Sequence, residues 1–209
     1  MGAATVAFAG LSREHTASAQ TSLSPDAALQ RLIDGNKRFA EGRMTLSDEH
    51  LKVLRAKTVD KQEPYAAVLS CADSRVPVEL IFDQSIGQVF VTRVAGNIAT
   101  TATIASLEYG VAVLGTKAII VLGHANCGAV KASIEAKAVP GEISALYPYI
   151  RPAVDQAGTN LEAVIRANAK IQAALLRQSS PVLAEHIQQN QLKIVAGYYD
   201  LGSGIVAVL

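Results

Sequence analysis

Cys71, Asp73 and Arg75 occupy alternate positions in LSCADSRVP (residues 69–77), just where an apolar run stops. The chain has one other cysteine, Cys127, and it follows His124 by three residues in GHANCGAV (123–130), again where an apolar run stops. Two thiols and one imidazole make three soft-to-borderline donors, the set that suits tetrahedral zinc. Asp73 or a water can take the fourth position, and an open fourth position marks a catalytic zinc rather than a structural one. Each signal is weak alone. A single H-x-x-C is usually coincidence, a single buried cysteine is usually core, and a single D-x-R is usually a surface pair. A redox dithiol competes with the metal reading, but no C-x-x-C supports it. Taken jointly the pattern favours a metal site, because both cysteines and a nearby histidine fall at equivalent places in the pattern.

Those places are strand ends. From residue 65 the chain alternates: YAAVLS reads as a short apolar strand, VPVELIFDQ as a short helix and QVFVTRVA as β-rich. TATIASLEYGVAVLG is a helix ending at Gly115, KAIIVLG is a fully apolar strand, and CGAVKASIEAKA begins another helix. Continuous apolar strands separated by helices predict a parallel sheet covered on both faces. LEAVIRANAKIQAALLRQS and PVLAEHIQQN add helices, and LKIVAGYYDLGSGIVAVL closes the chain as two strands around a Gly-rich turn. In open α/β sheets ligands bind beyond the carboxyl ends of the strands, beside a topological switch point. Cys71 and Asp73 end one strand there, and His124 and Cys127 end another.

Ahead of the sheet, SPDAALQRLIDGNKRFAEG (24–42) opens with Ser24 as N-cap and Pro25 at the first helical position. Leu29, Leu32, Ile33 and Phe39 form an apolar stripe, expected to lie on a second subunit. The fold class is therefore α/β: a parallel β-sheet core flanked by helices, with an N-terminal helical arm and a C-terminal edge strand.

At 209 residues with half of them hydrophobic, the chain can bury one sizeable core, assigned to residues 24–209. A net charge of +1 offers no basic stripe for nucleic acid. The apolar runs fall well short of the roughly 20 residues that cross a bilayer, so no membrane insertion is expected. Residues 1–23 differ in character. AATVAFAG (3–10) and ASA (17–19) resemble the apolar core and cleavage site of an export signal, without its basic start. The segment reads either as the remnant of such a signal, which places the protein in the periplasm or otherwise outside, or as a disordered tail on a cytoplasmic protein.

CADSRVP followed by GHANCGAV closely resembles the two zinc motifs of the β-class carbonic anhydrases, in a bacterial-looking member of the plant-type subclass. The resemblance runs from about residue 24 to the C-terminus and includes GNKRF, FVTRVAGN, SLEYGV and GYYDLGSG. It implies one zinc ion (Zn2+) per chain on Cys71, His124 and Cys127, with Asp73 able to take the fourth position in a closed form. It implies a catalytic Asp73–Arg75 dyad. It implies a substrate pocket containing Gln62, Phe90, Tyr109 and Gly128, with Phe90 and Tyr109 contributed across the interface of a homodimer or higher homo-oligomer. Val113 stands where some members carry a shuttle histidine, and Ala95 leaves a small pocket wall.

The activity so implied is reversible hydration of carbon dioxide to bicarbonate and a proton, by hydroxide on the zinc. Two thiolates cancel the metal's formal charge, so such a site acidifies its water less than three histidines would, and activity should climb on the alkaline side of neutral. Two other functions fit the same motifs: a related zinc hydrolase of carbonyl sulfide or carbon disulfide, and a non-catalytic protein that binds zinc or bicarbonate. The intact Asp73–Arg75 pair argues against the last, since a closed structural site needs no dyad.

Overall fold

A computed structural model of the chain describes residues 21–46, 52, 54–56 and 58–209. The export-signal reading of residues 1–23 falls almost wholly outside the described residues.

Five strands form one sheet: β1 (Ala66–Ser70), β2 (Val89–Arg93), β3 (Ala118–His124), β4 (Lys193–Tyr199) and β5 (Val206–Val208). Their order is β2-β1-β3-β4-β5, with β5 alone antiparallel, at the edge. Every residue of β1 and β3 is buried, as continuous apolar strands in a covered parallel sheet must be. Alternation divides them between the two faces. Ala66, Val68, Ile120 and Leu122 join one cluster, while Ala67, Leu69, Ile119 and Val121 join the other.

The chain leaves β1 toward β2 on one side, then crosses back over β1 to reach β3 and β4 on the other. That reversal puts the switch point between β1 and β3. Ser70 pairs with Arg93 on one flank and Leu122 on the other, so the three strands finish almost in line.

The leading helix, Pro25–Ala40, begins as its sequence predicts. The Ser24 side chain accepts the Ala27 N–H at 3.2 Å, and Pro25 occupies the first turn. Its apolar stripe is used differently from the expectation. Leu32 is fully buried, and Leu29, Ile33 and Phe39 pack against the cluster on one face of this chain's own sheet. Helical periodicity shows that a stripe must be covered but carries no information about which copy covers it. Gly35 allows that close seating, since a Cβ there would lie 1.8 Å from the Phe82 carbonyl oxygen. Asn36 then ties the helix to the C-terminus. Its side-chain amide donates to the carbonyls of Ile81 and Gly204 at 3.1 and 2.8 Å and accepts the Val206 N–H at 2.8 Å.

Helices Thr101–Ala112, Leu161–Ser179 and Pro181–Gln188 cover the other face. Residues 141–157, to which the sequence pattern assigned nothing, form a 3-10 turn and then the helix Tyr147–Ala157. Pro148 and Pro152 mask that helix to a reader of propensities, and only Ile150 and Ala153 on it are buried.

Candidate metal centre

Cys71 is the first residue past β1 and His124 the last of β3. Cys127 caps the helix Gly128–Glu135. Asn126, in the left-handed region at φ 55°, lets the chain turn back within two residues, so His124 and Cys127 face the same space. The Cys71 and Cys127 sulfurs are 4.0 Å apart. That is far beyond a ~2.05 Å disulfide bond. It is close to the ~3.8 Å that two 2.3 Å zinc–sulfur bonds subtend at a tetrahedral angle. The ligand atoms of Cys71, His124 and Cys127 all lie within 4.8 Å of one another, and all three residues are buried.

The imidazole is oriented for a ligand. Its Nδ1 lies 3.0 Å from the Ala125 carbonyl oxygen, which fixes the proton there and leaves the Nε2 lone pair facing the sulfurs. Nε2 is buried and has no hydrogen-bond partner among the described residues. A buried polar nitrogen without a partner is costly. A cation on Nε2 and the two sulfurs resolves that cost, and the donor set fits zinc.

The thiols are electrostatically unlike. The hydrogen bond from Cys127, with the Gly96 N–H, pulls the Cys71 thiol down against opposing burial. Its hydrogen bond to Cys71, then burial and the charge of a Cys71 thiolate, push the Cys127 thiol up. The pair thus loses its first proton readily and keeps its second; a dication between the sulfurs removes that opposition.

Asp73 stands at the rim. Arg75 donates from Nε to Oδ1 at 2.9 Å and from Nη2 to Oδ2 at 2.8 Å, and its backbone N–H also reaches Oδ1 at 2.9 Å. This two-pronged contact holds the carboxyl far below the usual carboxylate range. Asp73 Oδ2 lies 3.9 Å from His124 Nε2, so the carboxylate faces the ligand cluster while remaining engaged by Arg75.

Two groups went unassigned in the sequence. Arg93, at the end of β2, donates to the Cys71 carbonyl at 3.0 Å and to the Asp73 carbonyl at 2.5 Å, clamping the backbone between ligand and dyad. The turn after β2 gives the Gly96 N–H to Cys71 Sγ at 3.4 Å. An arginine closing a strand is no signal until the neighbouring strand is known.

The expected pocket residues gather elsewhere. Gln62 and Tyr109 line one cleft of about 490 Å³ with Leu114 and the 58–61 segment. The Phe90 and Tyr109 ring centroids are 6.3 Å apart. Gln62 precedes β1 whereas Cys71 follows it, and a five-residue strand spans roughly 17 Å. Within one chain the cleft and the thiol cluster lie at opposite edges of the sheet. Gly128 does sit at the cluster, as the first residue of the helix after Cys127, and a Cβ there would meet nothing within 4 Å.

The comparisons agree with this geometry. The carbonic anhydrase family model matches residues 66–206. Carbonic anhydrase 2 of Mycobacterium tuberculosis is 35% identical over 195 residues, covering 87% of this chain and 91% of that protein. The carbonic anhydrase of Mycolicibacterium smegmatis is 34% identical over 191 residues, covering 88% and 92%. Among solved structures, the β-carbonic anhydrase CafA of Aspergillus fumigatus superposes with a TM-score of 0.70 at 28% identity, covering 87% and 90%. The Coccomyxa β-carbonic anhydrase, solved with acetazolamide, gives 0.67 at 27%, covering 87% and 86%. With motif order, sheet topology and ligand geometry all in agreement, the chain belongs to the β-carbonic anhydrase family.

Proposed function

We propose that this protein catalyses the reversible hydration of carbon dioxide to bicarbonate and a proton, with one zinc per chain held by Cys71 Sγ, His124 Nε2 and Cys127 Sγ. The observation that carries the reading is the buried triad, within 4.8 Å, set beside an aspartate already neutralised by a two-pronged arginine. Zinc there supplies a Lewis acid that makes water a nucleophile near neutral pH.

The chain's own residues do the rest. Asp73 accepts a hydrogen bond from the attacking oxygen and so directs its lone pair at the carbon of the substrate. Arg75 keeps the carboxylate in that pose and would hold it back from a metal on the three ligand atoms. Arg93, through the carbonyls of Cys71 and Asp73, keeps ligand and orienting group in fixed relation. The Gly128 N–H, in the first turn of its helix, has no intrahelical acceptor and lies where a bicarbonate oxygen can take it. Val113 is half-exposed and cannot carry protons, so position 113 supplies no shuttle.

Gln62, Phe90 and Tyr109 complete the pocket only if a second copy brings its cleft to this edge, which makes a homodimer the smallest active unit. Tyr109 and Val113 support such an interface, each remaining nearly half exposed in the single chain. Export of a mature protein beginning at Gln20 completes the proposal, and its test is the N-terminus of protein made with its whole leader in the native host.

The activity is tested by stopped-flow hydration of carbon dioxide on zinc-loaded protein, with carbonyl sulfide as a parallel substrate. Turnover of carbon dioxide that disappears in Cys71→Ser, together with the metal, supports the reading. Metal-free protein that stays active, or turnover of carbonyl sulfide alone, overturns it.

A further inference from the structure

Asn168 and Gln172 break the pattern of their helix. The buried positions around them on Leu161–Ser179 are alanine, valine, isoleucine and leucine, yet both amides are about 1% exposed. Spaced four residues apart, they share one face of the helix. Gln172 Nε2 donates to Asn168 Oδ1 at 3.2 Å and to the Tyr149 carbonyl at 2.9 Å. Its Oε1 accepts the Ala99 N–H at 2.9 Å. Asn168 Nδ2 donates to the Gly96 carbonyl at 2.9 Å. The two side chains thus grip both ends of the 96–99 turn.

That turn has little backbone hydrogen bonding of its own, and Thr103 Oγ1, 3.3 Å from the Ile98 carbonyl, adds one side-chain anchor. Gly96 and Asn97 lie consecutively in the left-handed region, at φ 77° and 46°, and the turn has a single backbone hydrogen bond, Asn97 N–H to the Val94 carbonyl at 2.9 Å. A Cβ at Gly96 would lie 2.8 Å from Ile150 Cδ1. This left-handed conformation aims the Gly96 N–H at Cys71 Sγ, 3.4 Å away. Apolar side chains at 168 and 172 would bury the helix face at least as well, and buried amides persist only where every polar atom is used. All four amide heteroatoms are used here.

We propose that Asn168 and Gln172 are positioning residues for the reaction: by holding the 96–99 turn they keep the Gly96 N–H on Cys71 Sγ, and so reduce the electron density that this sulfur passes to the metal. Outer contacts of this kind tune a metal through its ligands. The inference rests on the zinc reading above and extends it to a helix face that touches neither metal nor substrate.

Two measurements test it. Wild-type protein loaded with cadmium-113 should show scalar coupling between the metal and the Gly96 amide proton through the N–H···S contact. Absence of that coupling in fully loaded protein overturns the inference without any variant. Asn168→Ala should retain one metal per chain, lose the Gly96 coupling and shift the sulfur-to-metal charge-transfer band of the cobalt form. The pH midpoint of kcat/KM should move upward, with roughly tenfold lower kcat/KM near neutral pH. Gln172→Met should do the same more weakly, and Asn168→Gln should not restore the coupling, its longer arm overshooting Gly96. A lower Tm with the band, coupling and midpoint unchanged would reduce both residues to structural packing. Failure of the wild type to bind zinc or cadmium at all would instead sink the zinc reading itself.

Discussion

Asp73–Arg75 and Asp83–Arg38 are the same chemical pair in two settings. The first joins residues two apart in the chain, with Arg75 half exposed at 50% and its partner facing the ligand cluster. The second joins residues forty-five apart, the Asp83 side chain having no exposure and Arg38 only 33%. Arg38 Nε donates to Asp83 Oδ2 at 2.6 Å, and the Thr45 hydroxyl and N–H reach the same carboxylate at 2.9 to 3.1 Å. Asp83 also sits at φ 47°, a left-handed conformation that aspartate tolerates better than most residues. The local pair fixes one side chain's pose beside the buried thiols and imidazole. The distant pair fixes where the leading helix and the 41–45 segment meet the end of Val78–Ile81. Similar charges therefore hold a single side chain or join distant segments according to what they link and how much water reaches them.

The comparison breaks most visibly if Asp83 is removed. Asp83→Ala strands Arg38 and the Thr45 donors, and breaking a buried pair on one side costs about 3 kcal/mol, the low end because Arg38 keeps some water. Urea unfolding should report that loss, while kcat/KM of the folded protein at low temperature stays within about twofold. Large activity loss with little change in stability would reverse the assignment.

Arg75→Ala should give the mirror result. Zinc content and Tm should hold, while kcat/KM for carbon dioxide falls by roughly 10- to 100-fold as Asp73 loses its holder. Near wild-type turnover would remove Arg75 from the mechanism.

Acid sharpens the contrast further. Burial raises the Asp83 carboxyl, but Arg38 and the Thr45 donors outweigh it, leaving Asp83 below the ordinary carboxylate value. Its native value thus lies under the ~3.9 of the unfolded chain. The stabilisation is complete above that value and fades as pH falls through the gap toward the native one. The stability difference between wild type and Asp83→Asn should hold steady from about pH 7 to pH 5 and narrow below about pH 4. A difference that grows in acid would show that the pair is not what separates them.

The smallest effect is expected at the cleft. Gln62→Ala should raise KM with kcat little changed, since uniform loss of a substrate contact acts on binding. An equal effect on subunits too dilute to associate would show that the cleft does not act across an interface.

The zinc motifs, the helix limits at Ser24–Pro25 and the buried character of β1 and β3 are legible in the sequence because each depends on neighbours within a few residues. Thiol, imidazole and carboxylate types announce their chemistry wherever they stand, and apolar runs announce burial. What the stripe of the leading helix would cover was not legible, nor was the role of Arg93, nor the grip of Asn168 and Gln172 on the 96–99 turn. The contacts of Arg93 and the two amides join residues 22 to 73 apart, and those of the leading helix reach as far as 170 apart; they exist only once β1 lies between β2 and β3 and the helices lie across the sheet. By itself the sequence determined which atoms could bind a metal and which segments would be strands. The tertiary structure decided that the two sulfurs stand 4.0 Å apart, that the buried nitrogen of His124 faces them, and that Gln62, Phe90 and Tyr109 lie at the opposite edge of the sheet. The physical reason is that local chemistry is carried by side-chain type and spacing, whereas the distance between groups far apart in the chain is set only by packing and strand register.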